Sequence, residues 1–163
     1  MPNISVTDDL TSWMDLRPEL AAGLSAFSAA VYGKGRLSLR EREIARMRLA
    51  EINQCEVCRG ARQQHAAAGG VDDALYAHVL EWRSWPGFSA RERLVAEFAE
   101  RFALDHPALR EDAALWRRLH EAFGDGELVE LTMSCALWLG AGRAMRVLDV
   151  GQSCQLTLQS PVT

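Results

Sequence analysis

Ser38-Leu39-Arg40-Glu41-Arg42-Glu43-Ile44-Ala45-Arg46-Met47-Arg48-Leu49-Ala50-Glu51-Ile52-Asn53-Gln54-Cys55-Glu56-Val57-Cys58 joins a helix start to a closely spaced thiol pair. Ser38 to Glu41 is a capping box: the hydroxyl accepts from the backbone N–H of Glu41, whose carboxylate reaches back to the N–H of Ser38. Ile44, Met47, Leu49 and Ile52 ride the helix that follows. Arg40, Arg42, Arg46 and Arg48 alternate with Glu41, Glu43 and Glu51, the pattern expected of a solvated helix face. Asn53 and Gln54 interrupt the helix just before the thiols.

Outward from this stretch the chain continues to read as helix. Upstream, Pro18 opens a segment with Leu20, Leu24, Phe27 and Val31 at helical spacing, which stops at Gly33. Downstream, the cysteine-bearing helix is expected from about Cys55 to Ala68, ending at Gly69-Gly70. A short helix follows from Asp72 to about Trp82. Ser89-Ala90-Arg91-Glu92 repeats the capping box about 50 residues on and opens a helix through Leu94, Phe98 and Phe102, which hints at a repeated helical hairpin. After His106-Pro107 an amphipathic stretch carries Leu115, Leu119 and Phe123, and Gly124-Asp125-Gly126 breaks it. The helix from about Glu127 to Leu148 is strongly apolar and expected to be the most central.

No strand is expected. Periodicity predicts an all-α, single-domain bundle of about six or seven helices over residues 1–163, with a core from about 16 to 150. Pro86-Gly87 is too short for a flexible linker, and the tail after Gly151 is expected to be loosely ordered.

The 163 residues are 48% hydrophobic, enough for a core, and carry a formal charge of −4. Without a basic patch, an electrostatic grip on nucleic acid is not expected. Met1 to Ser5 does not resemble a secretory signal, and the uncharged run Leu131 to Gly142 is short of the ~20 residues of a membrane span. The expectation is a cytoplasmic protein, without membrane or nucleic-acid partners. In a reducing compartment a close cysteine pair is redox-active or metal-binding rather than structural.

Cys55-x-x-Cys58 places the thiols one helical turn apart, a spacing that suits a reversible disulfide. With Asn53 as N-cap, both thiols would lie in the first turn, where the macrodipole favours a thiolate. At ~100° per residue, Cys55, Cys58, Arg62 and His65 would share an arc of roughly 80° on that helix. That stripe holds two thiols, a permanent cation able to lower the Cys58 pKa, and a titratable base. A zinc site is the competing reading, but Cys55, Cys58 and His65 supply only three ligands. Neither metal nor cofactor is called for.

The run from Leu39 to Cys58 resembles the carboxymuconolactone decarboxylase superfamily, and within it the alkylhydroperoxidase D-like branch. Members of that branch have an acidic residue, an apolar helix, and C-x-x-C twelve residues on; here Glu43 stands twelve before Cys55. The likeness extends over Ser89 to Phe102, Leu128 to Thr132 and Trp138 to Arg143, about residues 16 to 150 in all. It implies a helical subunit of a homo-oligomer (trimer, dimer or hexamer). The activity it implies is reduction of hydroperoxides by the cysteine pair, recharged by a dithiol or thioredoxin-like donor, with Glu43 in a proton relay. Without the family, Glu43 reads as a surface carboxylate paired with Arg42 or Arg46. One departure stands out: where the family commonly has His four residues after the second cysteine, this chain has Arg62. Arg62 cannot shuttle protons at neutral pH, whereas His65, one turn later, can.

The reading is a thiol peroxidase or disulfide oxidoreductase in which Cys58 attacks and Cys55 resolves. The reverse order stays open, since in many C-x-x-C proteins the first cysteine attacks. A decarboxylase-like lyase acting on a small lactone, or a redox-sensing or structural oligomer, is the alternative. Cys135 reads as a core thiol, Cys154 as incidental, and His78, His106 and His120 lack spaced partners. Trp82, Trp85, Trp116 and Trp138 read as core or subunit-interface residues, with lining of the thiol pocket as the alternative for Trp138.

Overall fold

Capping side chains set most of the helix starts. In the computed structural model, which describes residues 1–160, Ser38 accepts from the N–H of Glu41 and Ser89 from that of Glu92, and both capping boxes close. They open α2 (Leu39–Asn53) and α5 (Ala90–Leu104). Pro18 starts α1 (Pro18–Gly33). Asp72, Asp105 and Asp112 cap α4 (Asp73–His78), α6 (His106–Glu111) and α7 (Ala113–Ala122), each accepting from the N–H three residues on. A five-residue α3 (Glu56–Gly60) lies between α2 and α4, and the long α8 (Asp125–Leu148) follows α7. Among the described residues the fold is therefore all-α with eight α-helices. Against the strand-free expectation, β1 (Arg62–Gln63) and β2 (Thr157–Leu158) form a small parallel ladder.

α2 packs against both α5 and α8 and is enclosed by them. The expected solvated face is absent: Glu41, Arg42, Glu43 and Arg46 are all buried. Burying charges is costly unless each finds a partner; here Glu43 and Arg46 pair within α2, and Glu41, Arg40 and Arg48 find partners on α5. Arg91 Nε donates to Glu41 Oε1 (2.5 Å), Arg40 Nε to Glu92 Oε1 (2.6 Å), and Arg48 Nε to Glu100 Oε2 (2.8 Å).

The hint of a repeat sharpens in space. Ser38 to Met47 and Ser89 to Phe98 share Ser, Arg, Glu, Arg and Ala at a constant offset of 51 residues. The arginine of each copy reaches the capping glutamate of the other.

α8, expected to be the most central helix, is a flank that leaves Val129, Met133 and Val147 exposed. α1 has no charge from Leu20 to Gly33, yet buries only Val31. Among the described residues no helix is long and apolar enough to cross a membrane.

The tail corrects another expectation. Rather than lying loose after Gly151, its described part, to Ser160, runs back past α3 and pairs with β1. Arg62 N–H donates to Leu156 O (3.1 Å), Gln64 N–H to Leu158 O (2.9 Å), and Leu158 is buried. The N-terminal segment closes over it, with Gly151 N–H donating to Asp8 Oδ1 (2.7 Å). These contacts bring Leu10 to Met14 and Leu156 to Gln159 to a cavity beside Cys58.

Candidate active site

α2 ends at Gln54, whose left-handed backbone (φ 52°, ψ 37°) turns the chain away from the helix axis. Cys55 is thereby the extended N-cap of α3, and Cys58 sits in its first turn. Asn53 is not the N-cap: it belongs to α2, and its amide donates to the carbonyls of Trp138 (3.2 Å) and Leu139 (3.1 Å) on α8. A disulfide joins Cys55 to Cys58, with Cα atoms 5.2 Å apart.

The helix expected from Cys55 to Ala68 stops at Gly60, and competition for its carbonyls explains why. Continued helix would need Cys58 O to accept from Arg62 N–H, and Ala61 O from His65 N–H. Instead Arg46 takes both carbonyls, with Nη1 to Cys58 O (2.6 Å) and Nη2 to Ala61 O (3.1 Å), while Arg62 N–H goes to the tail. The stripe of Cys55, Cys58, Arg62 and His65 on one helix consequently does not form.

Arg46 is held from behind by Glu43, which is 1% exposed rather than the surface carboxylate of the family-free reading. Arg46 Nε and Nη2 donate to Glu43 Oε1 (2.7 Å) and Oε2 (2.8 Å). Gln63 Nε2 adds a bond to Oε1 (2.9 Å) and the Tyr76 hydroxyl one to Oε2 (2.8 Å). Burial alone would raise the Glu43 pKa; the Arg46 charge and these donors outweigh it, leaving the carboxyl below its ordinary value. Glu43 is therefore ionised at neutral pH and accepts four hydrogen bonds. Tyr76 shows the complement: burial and the neighbouring Glu43 charge push its pKa up, so its hydroxyl stays a donor.

Cys55 is fully buried, whereas Cys58 is half-buried and opens onto a cavity of about 620 Å³. The cavity lies between α1, the end of α2, α8, the N-terminal segment and the tail. Its wall is largely apolar, with Leu24, Leu137, Trp138, Met145 and Leu156, and Arg46 and Tyr32 line it together with Cys58. Gly142 lets α8 come this close: a Cβ there would sit 3.5 Å from Cys58 Sγ and 2.7 Å from Asn53 Nδ2.

The structure thus joins Cys55 to Cys58 and brings Glu43 to them one step removed, through Arg46. Arg62 is exposed; its guanidinium lies 4.1 Å over the Tyr76 ring and donates to the carbonyls of Arg59 and Ala61. His65 is exposed on the following loop, and neither it nor Arg62 lines the cavity. Among the described residues no three His, Cys, Asp or Glu side chains converge as metal ligands, Cys55, Cys58 and His65 included. Cys135 is a core thiol whose pKa burial raises, and Trp138 lines the thiol cavity. Sequence reasoning named Arg46 only as a possible surface partner of Glu43, and missed Gln63, Tyr76 and Gly142. Only Arg46 had a local signal, lying three residues after Glu43 on one helix face.

Comparison with known proteins gives a consistent relationship. The model of the carboxymuconolactone decarboxylase family matches residues 18–101. The uncharacterized protein YnjA of Escherichia coli (strain K12) is 34% identical over 110 residues, 67% of this chain and 59% of that protein. The chain thus spans about three fifths of the length of this curated relative. A protein of unknown function from Agrobacterium tumefaciens, suggested to be the antioxidant defence protein AhpD, has a TM-score of 0.75 at 17% identity, with both chains covered in full. The alkylhydroperoxidase AhpD core of a peroxidase-related protein from Ralstonia eutropha JMP134 gives 0.68 at 18% identity, covering 85% of this chain and 73% of that one. At such identities these two structures speak to the fold.

Proposed function

Since the chain belongs to the carboxymuconolactone decarboxylase family, we propose that it is a thiol-dependent hydroperoxide reductase whose Cys55–Cys58 pair is recharged by a dithiol donor. The observation that carries this reading is the asymmetry of the pair. Cys58 stands on the wall of an apolar cavity, and Cys55 is buried behind it within disulfide reach.

In the reduced protein Cys58 attacks and Cys55 resolves. The Cys58 thiolate attacks the terminal peroxide oxygen: an S–O bond forms, the O–O bond breaks, and the alkoxide leaves with the electron pair and takes up a proton. Cys55 then displaces the hydroxyl of the sulfenic acid as water, closing the disulfide. A dithiol reduces it and is itself oxidised to a disulfide. The activating cation is Arg46, since it shares the cavity with Cys58 and binds its carbonyl, whereas Arg62 acts at one remove through Tyr76. A guanidinium beside a thiol favours the thiolate. Glu43, saturated with donors, anchors Arg46, and the Tyr76 hydroxyl on its Oε2 is its link to a proton relay.

The test is consumption of cumene hydroperoxide with dithiothreitol as donor, together with a thiol count and disulfide mapping after one equivalent of peroxide. The expected result is turnover, two thiols lost per chain, and a Cys55–Cys58 linkage. Cys55→Ser should retain a single stoichiometric burst, and Cys58→Ser none. A reversible disulfide without turnover would instead indicate a redox sensor. Decarboxylation of a small lactone with no peroxide consumption would indicate the lyase.

A further inference from the structure

One polar group in the cavity is left with an unused proton. The Tyr32 hydroxyl accepts a hydrogen bond from Trp138 Nε1 (3.0 Å), and among the described residues it donates none. Both residues line the cavity that Cys58 and Arg46 also line. The surrounding wall is mostly aliphatic and aromatic. A molecule lying along it with an oxygen near Cys58 would therefore meet two kinds of donor, the Arg46 guanidinium and the Tyr32 O–H.

The arrangement is built rather than incidental. Tyr32 lies on α1 and Trp138 on α8, 106 residues apart. Their rings pack in a tilted pair with centroids 6.4 Å apart, and Trp138 is buried. Accepting the indole N–H polarises the hydroxyl and strengthens it as a donor. It also fixes the direction in which its own proton can point. Burial pushes the phenol's pKa above the ordinary value, so it is a donor at neutral pH.

We propose that Tyr32 is a substrate-contacting catalytic residue for the peroxidase reaction above, its O–H donating to the leaving oxygen of a bulky, apolar hydroperoxide held in this cavity. This rests on the peroxidase reading. As Cys58 sulfur bonds to the terminal oxygen and the O–O bond breaks, negative charge develops on the inner oxygen, the one bound to the organic group. Tyr32 donates to that oxygen and passes it the proton that makes the alcohol, and solvent restores the phenol. Sulfur is oxidised from thiolate to sulfenic acid and the peroxide is reduced. A donor aimed at developing charge in an apolar pocket has its largest effect in the transition state. The apolar wall adds contact for a large organic group that hydrogen peroxide lacks, so the preference is for bulky substrates.

Tyr32→Phe keeps the ring and removes only the hydroxyl. Steady-state kinetics with cumene hydroperoxide and hydrogen peroxide should show kcat/KM for cumene hydroperoxide reduced about 10- to 100-fold, as for loss of one hydrogen bond to a charged group, and a narrower gap between the two substrates. The rate of Cys58 alkylation by iodoacetamide and the closure of the Cys55–Cys58 disulfide by diamide should be unchanged, which separates loss of a donor from loss of structure. Trp138→Phe, which leaves the hydroxyl but removes its polarising partner, should lower kcat/KM by a smaller factor. If Tyr32→Phe turns over cumene hydroperoxide like wild type, this role for Tyr32 is overturned and the peroxidase reading stands. If wild-type protein fails to consume either peroxide, both fall. Equal slowing of alkylation and turnover in Tyr32→Phe would make Tyr32 structural and also overturn the proposal.

Discussion

α2 with α3 and α5 with α6 begin from the same Ser-x-Arg-Glu-Arg opening, and each pair supplies the arginine that the other's capping glutamate accepts. Past the first turn they diverge. At the offset of 51 residues, Leu94 stands where the first copy has Glu43, Glu97 where it has Arg46, and Leu109 where it has Cys58. Leu94 and Leu109 are ordinary core residues, and Glu97 pairs near the surface with Arg101 and Arg118. α5 therefore shows what the fold requires at these positions: apolar side chains inside and a weak ion pair outside. A buried ion pair is a poor stabiliser next to leucine. Its presence in α2, clamped onto the carbonyl of a cysteine that opens onto a cavity, sets that copy apart as the one the proposed reaction would use.

The difference can be attacked at its largest consequence first. Cys58→Ser should abolish peroxide turnover while leaving the fold intact. Leu109→Ala at the equivalent position should retain turnover per folded molecule and cost about 2–5 kcal/mol in stability. Peroxide assays alongside urea denaturation read both effects.

Next comes the ion pair. Arg46→Met strands the buried Glu43 charge and should cost about 3–5 kcal/mol. Glu97→Gln, which loses only partly exposed pairs, should cost no more than about 1 kcal/mol. The double variant Glu43→Leu/Arg46→Met replaces the buried pair by apolar side chains, with leucine where α5 has Leu94, and should regain most of the stability but not the turnover. If it keeps wild-type turnover, the pair is a folding element and the asymmetry argued above is wrong.

Gly142→Ala is expected to cost about 1–3 kcal/mol through overpacking, because the new methyl meets the Asn53 amide and crowds Cys58. It should also slow Cys58 alkylation. A variant as stable and reactive as wild type would show that α8 can move aside freely. Where the two copies remain alike, the effects should match. Arg40→Ala and Arg91→Ala remove mirror-related, partly buried pairs and should each cost roughly 1–2 kcal/mol, differing by less than either loss. A clear difference in denaturation midpoints would end the claim of pseudo-symmetry.

The smallest difference shows only in acid. Glu43 has a folded pKa below the ~4.3 of an unfolded chain. It contributes its linkage stability in full above that value and loses it as pH falls through the folded pKa. Wild-type stability should therefore fall more steeply below about pH 4 than that of Glu43→Leu/Arg46→Met. The Glu92 pKa is lowered too. Its group is less buried, so Glu92→Gln should flatten the acid limb less.

Much of this molecule is determined within a few consecutive residues and so was legible from the sequence. Ser38 with Glu41, Ser89 with Glu92, Pro18, and the thiols three apart act over one helical turn. They placed α1, α2, α5 and the Cys55–Cys58 pair. Contacts between distant residues decided the rest. The helix carrying the pair ends at Gly60 because Arg46 takes its carbonyls and the tail takes Arg62 N–H. Neither competitor belongs to that helix: Arg46 lies twelve residues before Cys58, on α2, and Leu156 lies in the tail. The charges of α2 look solvated until Arg91, Glu92, Glu100, Gln63 and Tyr76 arrive from elsewhere to satisfy them. Tyr32 and Trp138 meet only when α1 folds onto α8. Hydrogen bonds and caps that close within a turn are fixed by sequence. Burial of charge and the lining of a cavity depend on which remote groups pack there, and only the tertiary structure decides that.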